Sequence, residues 1–213
     1  GFEAAVAMVG NSNTNIAIGK HALFTEASAA SNCIAVGLEA LKMQNDASAI
    51  NLAIGTSAGV AITSGTANVL IGYGAGSAIV DDDNNTALGY NALLGATAGA
   101  GNTAIGSLAM DAALTGNYNT AVGEGALGAA AGSATDNTSI GAGSLFGITN
   151  AATTGNVAIG RNAGRYYNDG GDDTAMTKAI DSIYIGNNAR GLHATNADNE
   201  IVIGFNAIGG GAN

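Results

Sequence analysis

The sequence predicts an all-β chain: a repetitive parallel β-solenoid of about eleven coils, each 17–18 residues long. Three observations lead there. A phrase of the form Asn-Thr-Ala-Ile-Gly-x-x-Ala-Leu recurs eleven times, with glycines at Gly19, Gly37, Gly55, Gly72, Gly89, Gly106, Gly123, Gly141, Gly160, Gly186 and Gly204. The intervals between them are 18, 18, 17, 17, 17, 17, 18, 19, 26 and 18 residues, and a fixed period of this kind means one structural unit stacked on itself. Composition agrees: the chain has 34 glycines and no proline, as suits a backbone whose donors are almost all committed to ladders.

Each position of the repeat has a reason. The residue before the glycine is always β-branched or Leu: Ile18, Val36, Ile54, Ile71, Leu88, Ile105, Val122, Ile140, Ile159, Ile185 and Ile203. Ala usually stands two places before it, and Ile, Val, Leu or Thr three places before it. That alternation is a short strand, whose first and third residues share one face. Because the position before the glycine is apolar in every repeat, this column is expected to form the structural core. Thr86, Thr103, Thr120 and Thr138 share its face and are expected to form an internal polar row rather than an ice-binding surface.

Four places before the glycine stands Asn15, Asn51, Asn68, Asn85, Asn102, Asn119, Asn137 or Asn156. Asn suits a turn, and stacked amides can bond as a ladder. The glycine itself is expected at a corner that a Cβ would obstruct. Three places after it comes Ala, or Ser144 once, and then in most repeats Leu, Gly or Met, read as the start of a second short strand. One coil cannot bury its own apolar face, but stacked coils can. At ~4.8 Å per strand, eleven coils make a rod on the order of 50 Å long. The whole of residues 1–213 reads as one solenoid domain, with a loop insertion at 165–181.

The formal net charge of −10 argues against nucleic acid or an anionic membrane as partner. No apolar run reaches the length of a membrane span, so no membrane insertion is expected. Cys33 occupies an Asn slot and reads as a small buried substitute, with no activating neighbour to make it reactive. Gly72-Tyr73-Gly74-Ala75-Gly76 lies in register with the other repeats and lacks the Lys-Ser/Thr of a phosphate loop. Asp81-Asp82-Asp83-Asn84 matches no calcium-binding spacing and reads as solvated charge. His21 and His193 lie about ten coils apart, too far to cooperate. No catalytic, metal or cofactor site is therefore assigned, and the chain is not expected to be an enzyme.

The longest interval, between Gly160 and Gly186, is where recognition is expected. Solenoid insertions project from one side, and Tyr166, Tyr167, Asp169 and Asp172 are the candidate receptor-binding residues. Aromatic faces there would stack on apolar ligand faces.

The phrase Asn102-Thr103-Ala104-Ile105-Gly106 with Ala109, and its relatives from Asn15 to Ala207, resembles the head repeats of trimeric autotransporter adhesins and the repeat regions of phage tail fibres. The resemblance implies a left-handed β-roll and a homotrimer, with chains side by side or intertwined in one rod. The two columns of small residues in every coil offer a physical hint in the same direction, since one of them could face a neighbouring chain. The stretch Asn199-Glu200-Ile201-Val202-Ile203-Gly204-Phe205-Asn206-Ala207, then Gly209-Gly210-Gly211, is similar to the segment preceding a self-cleaving chaperone in many phage fibres. It implies a chaperone removed in maturation or lying outside this chain. The period exceeds that of the adhesin heads, and no coiled-coil stalk follows, which favours the phage fibre. The expected function is a structural and adhesive segment of a phage tail fibre, extracellular and displayed on a virion. Its expected partners are other fibre or baseplate proteins and a glycan or protein of the host cell surface. The alternatives are a bacterial trimeric autotransporter-type surface adhesin and a fibre-borne polysaccharide hydrolase.

Overall fold

Every repeat supplies one three-residue strand to a single parallel sheet. The structure, a computed structural model, describes residues 3–4, 14–24, 32–46, 48–96, 99–112, 115–129, 132–147, 153–165, 179–191 and 197–209. The strands are β1 (Ile16–Ile18), β2 (Ile34–Val36), β3 (Leu52–Ile54), β4 (Val69–Ile71), β5 (Thr86–Leu88), β6 (Thr103–Ile105), β7 (Thr120–Val122), β8 (Thr138–Ile140), β9 (Val157–Ile159), β11 (Ile183–Ile185) and β13 (Ile201–Ile203). They lie side by side in chain order as an 11-stranded sheet. Like stands opposite like: Thr103 pairs with Thr120, Ala104 with Ala121 and Ile105 with Val122. Two shorter strands, β10 (Ala179–Ile180) and β12 (Ala197–Asp198), pair in parallel beside it. Ile180 also bridges to Thr154, so the coil is already re-established within the expected 165–181 insertion. Among the described residues no helix is long and apolar enough to cross a membrane.

The inside of the coil is the reverse of the sequence expectation. The middle residue of each strand points inward: Ala35, Ala53, Ala87, Ala104, Ala121 and Ala158 are fully buried. So is the alanine three places after the glycine, as at Ala22, Ala40, Ala58, Ala75, Ala92, Ala109 and Ala126. Both small-residue columns are therefore internal, and neither faces outward toward another chain. The column expected as core faces outward instead. Ile18, Ile54, Leu88, Ile105, Ile140, Ile159 and Ile203 are exposed, and Val36, Ile71, Val122 and Ile185 are half-buried. Thr86, Thr103, Thr120 and Thr138 lie beside them on the same outer face, half-buried rather than internal. The reason is volume. Two walls of the coil meet across a lumen that holds only one or two large side chains per turn, most often a Leu or Met, and opposed columns of Ile and Val would overfill it.

That filler is the residue four places after the glycine: Leu23, Leu41, Leu93, Met110, Leu127 and Leu145, all buried. Where the slot is glycine, a neighbour takes the space. A Cβ on Gly59 would lie 2.8 Å from Leu70 Cδ1 and 3.0 Å from Ile62 Cδ1, and one on Gly76 would lie 2.7 Å from Leu70 Cδ2. Leu70 itself occupies a slot that is Ala in most coils. Tyr184 does the same opposite Gly164, where a Cβ would come within 2.9 Å of its ring. Ser139 and Ser144 replace both alanines of one coil together and bond to each other, with their hydroxyl oxygens 2.6 Å apart.

The segment expected to begin a second strand is a turn. Leu23, Leu41, Leu93, Met110, Leu127 and Leu145 have φ between 45° and 54°. Such left-handed non-glycine residues cost of order 1–3 kcal/mol each and persist only where the surroundings over-determine them. Here inter-coil hydrogen bonds do so: Leu108 N–H donates back to Tyr90 O at 2.9 Å, and Met110 N–H donates forward to Ala126 O at 3.0 Å. The repeat glycine precedes this turn. Gly106 has φ 132°, and a Cβ on it would sit 2.6 Å from the carbonyl of Gly123 in the next coil.

Candidate functional site

The asparagine column forms a hydrogen-bonded ladder within the coil. Each side-chain Oδ1 accepts the backbone N–H of the same slot one coil on: Asn51 from Asn68 at 2.8 Å, Asn102 from Asn119 at 3.0 Å and Asn137 from Asn156 at 3.1 Å. Each Nδ2 reaches across the coil where it can, as from Asn119 to Ala134 O at 2.7 Å and from Asn68 to Asp82 O at 2.9 Å. Asn15 starts the ladder by accepting from Cys33 N–H at 2.8 Å, and Asn85 and Asn156 continue it. These amides, buried from Asn51 onward, are structural and cannot reach a ligand. Cys33 is buried among them, and burial pushes its thiol pKa up despite a hydrogen bond from the Asn51 backbone.

The other sequence candidates divide into three groups. Tyr166, Tyr167, Asp169 and Asp172 lie outside the described residues, as does His193. His21 is tied into a surface cluster, its Nε2 2.7 Å from Glu3 Oε2 and its Nδ1 3.7 Å from Glu39. Lys42, 2.8 Å from Glu39, holds that carboxyl below its usual range. In the acidic run, Asp83 accepts from both Thr66 N–H and Thr66 Oγ1. Among the described residues no group of His, Cys, Asp and Glu could hold a metal ion. The glycines at 72, 74 and 76 donate their N–H groups to Ile54, Thr56 and Ala92, which leaves none to cradle a phosphate.

Two surface features were missed by the sequence reading. The first is the outward face of the sheet. It carries an apolar residue before every repeat glycine, from Ile18 to Ile203. In the middle coils these residues are 36 % exposed at Ile105 and 44 % at Leu88, although each is flanked by its like above and below. Tyr73 and Tyr90 extend the face sideways, stacked at 5.6 Å. The stripe runs about 50 Å, and at about 10 Å wide it covers on the order of 500 Å2, near the upper end for a monomeric protein.

The second is a groove on the adjoining corner. In the slot two places after the repeat glycine, most coils carry a side chain at φ near 55°, as at Asn91, Leu108, Asn162, Asn188 and Asn206. Gly125 and Gly143 adopt the same φ, 60° and 65°, so the backbone does not require glycine there. Their missing side chains open a depression of about 360 Å3, floored by Phe146 and lined by Asp111, Glu124, Arg161 and Arg165. The Arg165 guanidinium lies 5.0 Å over the Phe146 ring and donates to Asn162 Oδ1 at 3.0 Å. A second depression, about 380 Å3, shares Arg161 and Asn162 and continues past Asn188 and Arg190 to Ile208. An outer ladder fixes this stretch, from Asn162 Nδ2 to Asn188 Oδ1 at 3.1 Å and from Asn188 Nδ2 to Asn206 Oδ1 at 2.9 Å. The sequence signal for it was a pair of glycines in a slot that tolerates side chains.

The chain matches no protein-family model, no curated protein and no solved structure.

Proposed function

We propose that this chain is a structural and adhesive segment of an extracellular fibre, of the phage tail-fibre kind, in which three copies assemble into one rigid rod. The observation that carries this reading is the uninterrupted apolar column on the outer face of the sheet. A solenoid whose coils already bury their alanines and leucines has no internal use for eleven further aliphatic residues aimed at water. Contiguous exposed apolar surface of this size marks an interface. Three such stripes converging on a common axis would be covered along their whole length, and the repeat resemblance points to that number. The rod then supplies reach and stiffness, three chains supply avidity, and the corner adjoining the stripe is the surface left for recognition.

The test is the mass in solution. Light scattering at micromolar concentration is expected to give three times the chain mass. Replacing Leu88 and Ile105 together by Lys is expected to reduce it to one, with the strand signal in circular dichroism retained, because both side chains lie outside the coil. A wild-type monomer would sink the assembly.

A second reading, a fibre-borne polysaccharide hydrolase, draws on Asp111 and Glu124 lining one depression. It predicts depolymerisation of a surface polysaccharide that is lost in Glu124→Gln.

A further inference from the structure

We propose that the corner groove from Phe146 to Ile208 binds an oligosaccharide bearing an anionic substituent. Three features carry this. The chain has only six Lys and Arg residues against sixteen Asp and Glu, yet Arg161 and Arg165 line the depression at Phe146, and Arg161 and Arg190 line the one that adjoins it. Concentrating scarce positive charge on one side of an acidic rod selects for a small, locally charged ligand and disfavours a polyanion such as nucleic acid. The guanidinium fork matches a carboxylate or sulfate in two-point fashion. Arg161 supplies it directly, since its guanidinium makes no hydrogen bond or ion pair with the described residues. The Phe146 ring at the floor carries the Arg165 guanidinium 5.0 Å over it, which fixes a second cation beside the ligand.

The remaining lining completes a sugar site. Glu124 stands one place after its repeat glycine, as Arg161 does, and Asp111 five places after, as Arg165 does. Each acid thus shares a column with an arginine and lies toward the N-terminal end of the groove, placed to accept hydroxyl protons. The amides of Asn162, Asn188 and Asn206 form a rigid edge along the groove, so little side-chain freedom is lost on binding. The space itself comes from Gly125 and Gly143. A Cβ on Gly125 would meet nothing nearer than the Phe146 ring at 3.7 Å, so the position can take a side chain without disturbing the coil. That makes the groove pluggable.

The inference deepens the attachment reading and rests on it for the ligand being a surface glycan. The experiment uses the purified full chain on immobilised neutral, carboxylated and sulfated oligosaccharides, followed by titration of the retained sugar. Retention of carboxylated or sulfated sugars over their neutral counterparts is expected, and the two charged sets identify the substituent. Arg161→Gln should weaken binding about tenfold or more, the scale of one charge-assisted pair. Gly125→Leu, which copies Leu108 one coil earlier, should block it with unchanged mass and circular dichroism. Equal retention of neutral sugars, no retention of any charged sugar, or binding indifferent to both substitutions would overturn the proposal. A trimer that retains no charged sugar removes the groove and leaves the rod, whereas a monomer that retains one removes the rod and leaves the groove.

Discussion

Gly106 and Gly204 share a backbone conformation, φ 132° and 134°, but not a neighbourhood. A Cβ on Gly106 would be driven into the Gly123 carbonyl, whereas one on Gly204 would meet only Ala207 Cβ at 3.6 Å. The pair separates the two reasons for glycine, which sequence alone merges. Gly204→Ala should cost about 1–3 kcal/mol, the strain of an unfavourable φ. Gly106→Ala should cost about 2–3 kcal/mol more, because overpacking adds to the strain. Urea midpoints of the two variants check this, and equal losses would mean that stacking clashes play no part. Cys33 tests the interior at the same scale. Its thiol is raised by burial, so folding favours the protonated form. That contribution is present below the unfolded pKa and fades as pH rises through the folded one. Alkylation at pH 8 should be slow in the native protein and fast in urea, as measured by mass spectrometry.

The ladder joins residues into an element. Replacing Asn119 by Ala would strand the N–H of Asn137 and the carbonyl of Ala134 inside the coil. With each buried unsatisfied group costing about 1–3 kcal/mol, a loss of about 3 kcal/mol or more is expected in urea unfolding. Period, strand position and the Asn slot were legible in the sequence because each recurs at fixed spacing. The inside and outside of the strand were not. Alternation says that Ala104 and Ile105 face opposite ways but not which is in, and hydrophobicity pointed to Ile105. The deciding evidence was joint: Ala two before and Ala three after the glycine are both small because they face each other across a narrow lumen. The corner groove was illegible for a related reason. Gly125 and Gly143 look like any other glycines among 34 until their slot is seen to hold Leu108 and Asn162 in neighbouring coils at similar φ.

At the scale of the molecule, the two proposed functions fall on different surfaces, assembly on the outer stripe and recognition on the groove. One face is apolar along its length and suits permanent contact. The adjoining corner gathers three of the six cations and suits exchangeable contact. Charge substitution at Leu88 and Ile105 should therefore abolish assembly while sparing the groove, and Arg161→Gln should do the reverse. Mass and sugar retention measured on both variants decide whether the two functions separate in this way.

Because Thr86 sits opposite Thr103 and Ala87 opposite Ala104, neighbouring windings are interchangeable. Excising residues 86–102 would join Asn85 directly to Thr103, with every column preserved. The shortened protein should remain folded and lose about 4.8 Å of length by small-angle scattering, the spacing of one strand. The span of such a rod is thus a graduated quantity, adjustable by duplication or loss of a 17-residue cassette without redesign of any contact.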